Sequence, residues 1–113
     1  MNRRLKIYLD TSVISALFDR RSPEIMKWTQ EFWEMIEKYE VYVSDVVVTE
    51  IQETPDVELK ENMSMALRDL SQLKVDENAE KLSRQYVRYG AVPPRYRKDA
   101  LHIAIATVNH IEI

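Results

Sequence analysis

Short apolar runs alternate with helical patterns along this chain, and this alternation constrains its fold more than any other feature. Each run is as long as a buried strand, and the stretches between the runs carry apolar residues at helical spacing. Such an alternation favours a parallel sheet, because a helical crossover returns the chain to the same end of the sheet. We therefore predict an α/β fold with about four parallel strands, at residues 6–9, 41–43, 73–75 and 111–113.

The predicted helices differ in how much of their surface should be buried. The stretch 23–39 places its large apolar side chains on one face, which is typical of an amphipathic helix with a proline in its first turn. The stretch 98–108 has few polar interruptions, so we expect this helix to be buried on most sides. The other helices are predicted directly after Asp10 and at residues 46–53, 58–70 and 78–89.

Length and composition indicate one cytoplasmic domain over residues 1–113. A chain of 113 residues can bury a core without covalent cross-links. It has no cysteine, which excludes disulfides and thiolate zinc sites and suits a reducing compartment. The apolar run from Leu5 to Leu9, after Arg3 and Arg4, is too short for a signal peptide or a membrane span. We therefore expect a cytoplasmic protein with no membrane partner.

The net charge argues mildly against a nucleic-acid partner, but the distribution of charge leaves the question open. The formal charge is −3, whereas proteins that bind phosphates usually present a basic surface. Two short basic clusters stand near candidate acidic residues in the sequence: Arg20 with Arg21, and Arg95 with Arg97 and Lys98. Each cluster is either a contact to a phosphate backbone or ordinary solvated charge.

Three carboxylates stand where the predicted sheet would place a ligand crevice. Asp10 follows the first strand, Glu50 lies on the helix after the second, and Asp99 opens the helix that leads to the fourth. Ligands of parallel sheets bind outside the carboxyl ends of the strands, so all three side chains could reach one crevice. Grouped carboxylates repel one another unless a cation compensates them, and oxygen ligands suit magnesium or manganese better than zinc. The pattern therefore predicts a site for a hard divalent metal.

Each acidic residue also has an explanation without chemistry. Asp10 could cap the helix that follows it, and Glu50 could be an exposed helix residue, as most glutamates are. Asp99 would favour the dipole of its helix, although burial there would cost desolvation. His102 is left out of the site, because a lone histidine near a helix start is more often a hydrogen-bonded structural group than a ligand. Asp45 is interpreted as a first-turn acid with no chemical role.

Three segments resemble sequence blocks of the PIN-domain family, in the same order and with similar spacing. They are YLDTSVI at 8–14, SDVVVTEI at 44–51 and DALHIA at 99–104. Within that family they look most like VapC-type toxins of toxin-antitoxin pairs. The resemblance implies a three-layer α/β/α sandwich and an endoribonuclease that hydrolyses RNA.

The same resemblance implies roles for individual residues. It implies a Mg²⁺ or Mn²⁺ site with three ligands that are also the catalytic residues, Asp10, Glu50 and Asp99. Thr11 or Ser12 would support that site. Arg95 and Arg97 are close in sequence to Asp99, so we expect them, with Thr11 and Ser12, to contact the RNA substrate. The metal would lower the pKa of a bound water and stabilise charge on the leaving oxygen.

The likeness departs from the family pattern at its C-terminal end. PIN domains usually carry a fourth acidic or amide position and a last strand beyond the place that Ile113 occupies, and Glu112 is not an obvious substitute. A domain without them has a thin sheet edge that is open to a partner strand. We therefore expect a homodimer or higher oligomer, or a complex with a cognate antitoxin protein.

Two other functions remain open from the sequence. A catalytically weak or inactive PIN domain would act as an antitoxin-binding or self-associating module and would cleave nothing at any metal concentration. A phosphatase of the haloacid-dehalogenase type would use Asp10 after the first strand. That class needs a second aspartate two residues further on, where this chain has Ser12, so the metal nuclease is the main prediction.

Overall fold

The structure, a computed structural model, describes residues 4–111. Strands and helices alternate as the sequence predicts. Several helix starts are determined locally, because Asp10, Asp56 and Asp76 each accept a hydrogen bond from the backbone amide three residues further on. In chain order the elements are β1 (Leu5–Tyr8), α1 (Thr11–Ala16), α2 (Pro23–Glu34), β2 (Tyr39–Ser44), α3 (Asp45–Gln52), α4 (Val57–Ala66), β3 (Ser71–Leu73), α5 (Glu77–Arg88) and α6 (Arg97–Val108).

The sheet is parallel, as the alternation of strands and helices predicts. Within residues 4–111 it has three strands in the order β1-β2-β3. Ile7 pairs with Val41 between β1 and β2, and Val43 pairs with Gln72 between β2 and β3. The carboxyl ends of β1 and β2 therefore lie at the same edge of the sheet.

The strands differ from the prediction in number and in one position. The sequence predicts a third strand at 73–75, whereas β3 spans Ser71–Leu73. The position of β3 is set by its pairing with β2 and not by the apolar residues of the segment itself. The predicted fourth strand begins at Ile111, which belongs to no strand, and residues 112 and 113 lie outside the described part of the chain.

Two hydrophobic cores cover the two faces of the sheet, so the fold is a three-layer α/β/α sandwich. Successive strand residues point to opposite faces, and accordingly Leu9 and Val43 belong to one core while Tyr8 and Tyr42 belong to the other. The first core includes residues of α1, α3 and α4, and the second includes residues of α5 and α6. A parallel sheet needs this cover, since both of its faces are apolar.

Two helices end earlier than their patterns predict. The pattern of α2 continues to residue 39, but the helix ends at Glu34 and a 3₁₀ turn follows at Ile36–Lys38. Tyr39 pairs instead with Leu5 in the sheet, so tertiary pairing overrides the helical pattern. α4 ends at Ala66 and not at residue 70, because the chain must turn before β3 begins.

α6 is buried on most sides, which confirms the prediction from its apolar sequence. Five of its residues are buried; the exposed ones are the first-turn residues 97–99, together with Ile103 at 39% and Thr107 on the side that faces solvent. The buried residues are Ala100, His102, Ala104, Ile105 and Ala106. Within residues 4–111, no helix is both long enough and apolar enough to cross a membrane.

Candidate functional site

Asp10 lies just beyond β1 and caps α1. Its Oδ1 accepts a hydrogen bond from the backbone N of Val13 at 3.3 Å and another from Ser12 Oγ at 2.6 Å. The capping explanation for Asp10 is therefore correct. It does not exclude a ligand role, because both bonds use Oδ1 and no donor within residues 4–111 binds Oδ2.

Glu50 lies on α3, and two donors from other helices hold its Oε1. Thr11 Oγ1 of α1 donates at 3.1 Å, and His102 Nε2 of α6 lies 2.7 Å away. The side chain is 22% exposed, which is low for a glutamate. Glu50 is therefore not an ordinary solvated helix residue, since three helices meet at its carboxylate.

Behind Glu50, hydrogen bonds continue into the core through three buried side chains. Tyr8 Oη lies 2.7 Å from Ser44 Oγ and 2.6 Å from His102 Nδ1. None of the three residues is more than 5% exposed. We call the connected set the Glu50 network, which consists of Ser44, Tyr8, His102, Glu50 and Thr11.

The Tyr8 hydroxyl stays protonated in this environment. Burial raises the pKa of Tyr8 to about 12, although the hydrogen bond with Ser44 lowers it. The negative charges of Asp10 and Glu50 raise the pKa further. Among residues 4–111, no buried polar side-chain atom lacks a hydrogen-bond partner, so the network is fully satisfied.

Asp99 lies in the first turn of α6 and faces solvent. With Glu50 it lines an open groove of about 450 Å³, which we call the carboxylate groove. The other lining residues come from the 3₁₀ turn Pro94–Tyr96 and from the start of α6. Because Asp99 is exposed, its position carries none of the desolvation cost that a buried acid would have.

The three predicted ligands lie at one end of the sheet but do not form one cluster. Glu50 and Asp99 line the same groove, and the charges of Asp10 and Glu50 both act on the Tyr8 hydroxyl. In the described range 4–111, no three histidine, aspartate or glutamate side chains are arranged to hold one metal ion. The donor chemistry still fits a hard cation, because the donors are carboxylate oxygens and, among residues 4–111, each of the three carboxylates has at least one oxygen that accepts no hydrogen bond.

Basic side chains lie along the carboxylate groove. Arg95, Arg97 and Lys98 line it, and all three are exposed. The Arg95 guanidinium lies 5.0 Å from the centroid of the Tyr96 ring, and Lys98 Nζ lies 3.3 Å from Glu53 Oε2. The groove therefore has acidic and basic side chains within one surface depression.

The other basic cluster of the sequence lies elsewhere. Arg20 and Arg21 line a separate groove, and Arg21 forms an ion pair with Asp19 at 3.0 Å. That ion pair lowers the pKa of Asp19 and raises that of Arg21. This cluster does not extend the carboxylate groove.

Sequence reasoning misses Tyr8 and Ser44 and assigns His102 only a structural role. Tyr8 belongs to an apolar strand pattern and Ser44 ends a strand, so neither gives a signal for a site. His102 is hydrogen-bonded, as the sequence suggests, but one of its two partners is the candidate ligand Glu50 and the other is Tyr8. The available signal is the histidine itself, because a polar residue in an apolar helix needs a buried partner.

Comparison with known proteins identifies the family. A search of curated proteins found no match. The family model of the PIN domain matches residues 7–113, which include all three predicted ligands. PIN domains are generally metal-dependent nucleases, so the match supports a hydrolase. Because this match spans nearly the whole chain, the chain belongs to the PIN domain family.

Proposed function

We propose that this chain is a Mg²⁺- or Mn²⁺-dependent endoribonuclease of the VapC toxin type. The observation that carries the proposal is the carboxylate groove, in which Glu50 and Asp99 lie beside three basic side chains. PIN nucleases act on RNA, and metal-assisted hydrolysis of RNA uses both metal ligands and contacts to phosphates. The groove contains side chains suited to each task.

In this proposal Asp10, Glu50 and Asp99 hold the metal. When bound, the metal supplies a water of lowered pKa and stabilises charge on the leaving oxygen. Ser12 fixes one oxygen of Asp10, and Thr11 fixes one oxygen of Glu50. Each carboxylate keeps its second oxygen for the ion, and hydrogen bonds of this kind orient metal ligands. Thr11 and Ser12 therefore act mainly through the ligands.

The RNA backbone would lie along the basic side of the groove. The chain as a whole carries a charge of −3, so attraction of phosphates has to come from a local cluster. Arg95 and Arg97 are exposed and have no ion-pair partner within residues 4–111. Lys98 contributes less, because it already pairs with Glu53.

Cleavage of single-stranded RNA in the presence of Mn²⁺ tests the proposed function. Asp10→Asn and Asp99→Asn should each lower the cleavage rate by about 100-fold or more, because each removes a charged metal ligand. Asparagine caps a helix as well as aspartate does, so Asp10→Asn protein should keep its fold.

Asp45→Asn is the matched control for these variants. Asp45 also lies in the first turn of a helix, and its carboxylate accepts a hydrogen bond from Gln72 at 2.6 Å, away from the carboxylate groove. This variant should cleave RNA at the wild-type rate. Equal rates in all four proteins, or cleavage that persists in EDTA, would contradict the proposal.

A protein-binding module is the second candidate, and the surface of α2 favours it. α2 has no fully buried residue, and Ile25 and Trp28 are 52% and 61% exposed. An apolar groove of about 520 Å³ is lined by residues of α2 and α4, among them Trp33 and Met65. Exposed apolar patches of this kind mark protein interaction sites. The partner would be an antitoxin-type protein or a second copy of this chain.

A further inference from the structure

With a neutral imidazole, the Glu50 network has one direction of hydrogen bonding that satisfies every member. The Glu50 carboxylate only accepts, so the 2.7 Å contact requires a proton on His102 Nε2. Nδ1 then accepts, and the Tyr8 hydroxyl donates to it over 2.6 Å. The Ser44 hydroxyl in turn donates to the Tyr8 oxygen over 2.7 Å. The carboxylate at one end of the network therefore sets the direction of every bond.

We infer that His102 is a positioning residue for Glu50 and that Tyr8 and Ser44 hold its imidazole in place. The inference rests on the proposed function, because it concerns a carboxylate that we assign to the metal. Thr11 and His102 both bind Oε1 of Glu50, which leaves Oε2 as the oxygen available to an ion. His102 thus acts through Glu50 and does not itself touch the substrate.

The composition of the network favours this role over simple packing. Tyr8 is 1% exposed, Ser44 is 0% and His102 is 5%. Phenylalanine, alanine and leucine would fill the same space without any need for hydrogen-bond partners, and such replacements are often neutral or stabilising. The buried hydroxyls and imidazole lead to a single carboxylate that is partly open to solvent, Glu50. Orientation of that carboxylate is the task that a purely apolar core could not perform.

Titration of the full chain and its variants with Mn²⁺ tests the inference. His102→Leu removes the donor to Glu50 and should weaken Mn²⁺ affinity by about 10- to 100-fold, the usual effect of losing an outer-shell partner. His102→Gln keeps an N–H donor near the position of Nε2, and its affinity should return to within about threefold of wild type. If Mn²⁺ affinity is lost in His102→Leu protein but kept in His102→Gln protein, the N–H donor to Glu50 is responsible and not a general effect on packing.

Ser83→Ala is the matched control for loss of a buried hydrogen bond. Ser83 is 9% exposed, and its hydroxyl donates to the backbone oxygen of Glu80 at 2.8 Å on α5. This variant should bind Mn²⁺ like wild type. If His102→Leu protein fails to fold, the triple variant Tyr8→Phe/Ser44→Ala/His102→Leu removes all three buried polar side chains together, and it should show the same loss of Mn²⁺ affinity.

A spectroscopic measurement on the metal-free protein provides an independent check. Nitrogen-15 NMR of the His102 ring should find the proton on Nε2, and this signal should shift in Glu50→Ala protein because its acceptor is gone. A proton on Nδ1, or His102→Leu protein that binds Mn²⁺ as tightly as wild type, would overturn this inference and leave the proposed function standing. Wild-type protein that binds no Mn²⁺ would overturn the proposed function and this inference together.

Discussion

Tyr8 is buried in the core, yet its hydroxyl belongs to the candidate site. Its ring packs in the core that contains α5 and α6, and the ring centroid lies 5.7 Å from that of His102. Its hydroxyl lies between Ser44 and His102. Phenylalanine would supply the same ring for packing, so only the hydroxyl requires the buried polar partners.

The raised pKa of Tyr8 predicts a loss of stability at high pH. The pKa rises from 10.0 to about 12 on folding, so the unfolded chain releases this proton at a lower pH than the folded chain does. The stability contribution is present below pH 10 and is lost as the pH rises toward 12. Relative to Tyr8→Phe protein, the wild type should lose up to about 2 to 3 kcal/mol of unfolding free energy, since one pKa unit is about 1.36 kcal/mol.

Urea unfolding of both proteins at several pH values measures this difference. The other tyrosines and the lysines are common to both proteins, so their titration cancels in the comparison. If the difference in unfolding free energy between wild type and Tyr8→Phe stays constant from pH 9 to pH 12, burial does not raise the pKa of the Tyr8 hydroxyl.

The three candidate ligands could be proposed from the sequence more readily than the hydrogen-bond partners of Glu50. Asp10 and Asp99 stand at recognisable helix starts, which are visible in a few adjacent residues. The partners of Glu50 are 39 residues away at Thr11 and 52 residues away at His102. No local pattern encodes such contacts, because they depend on how α1, α3 and α6 pack against the sheet.

At the scale of elements, helix starts depend on adjacent residues, whereas strand positions depend on pairing between distant parts of the chain. The starts of α1, α4 and α5 follow from aspartate caps, so the sequence places them within a residue or two. β3 and the end of α2 are set by pairing with β2 and β1, and the sequence misplaces both. The exposure of Asp99 could not be predicted either, since it depends on the tertiary position of the first turn of α6.

The predicted RNA contacts lie in the 3₁₀ turn Pro94–Tyr96 and at the start of α6. Arg95→Gln/Arg97→Gln protein should bind single-stranded RNA more weakly, and the slope of log affinity against log salt should fall by about 0.7 for each phosphate that the variant no longer neutralises. Arg88→Gln is the matched control, because Arg88 also stacks on an adjacent tyrosine but lies on α5, outside the groove. Fluorescence anisotropy in EDTA measures binding without cleavage. Equal affinities and equal slopes in the three proteins would rule out this RNA path.

At the scale of the whole molecule, the two proposed surfaces are separate. The carboxylate groove is lined by residues of α3, the 3₁₀ turn and α6, and the apolar groove by residues of α2, α4 and the segment after α1. The two share no lining residue. Mutations in the carboxylate groove should therefore change cleavage without changing association, and mutations in the apolar groove should do the reverse.

Light scattering after size-exclusion chromatography tests the association surface. Wild-type protein should form a dimer or higher oligomer, and Trp28→Glu should shift it toward monomer by placing a charge beside Ile25 on the exposed apolar surface of α2. Tyr89→Glu is the matched control, because Tyr89 is an aromatic residue that is 76% exposed at the end of α5. Wild-type protein that stays monomeric at every concentration would contradict self-association.

Calorimetric titration with Mn²⁺ tests the central claim most directly, because the claim is that Asp10, Glu50 and Asp99 hold one divalent metal. Wild-type protein and the Asp45→Asn control should bind one Mn²⁺ with a dissociation constant at or below the order of 1 mM, whereas Asp10→Asn and Asp99→Asn should bind far more weakly. The absence of binding to wild-type protein at millimolar Mn²⁺, or equal binding by all four proteins, would contradict the claim.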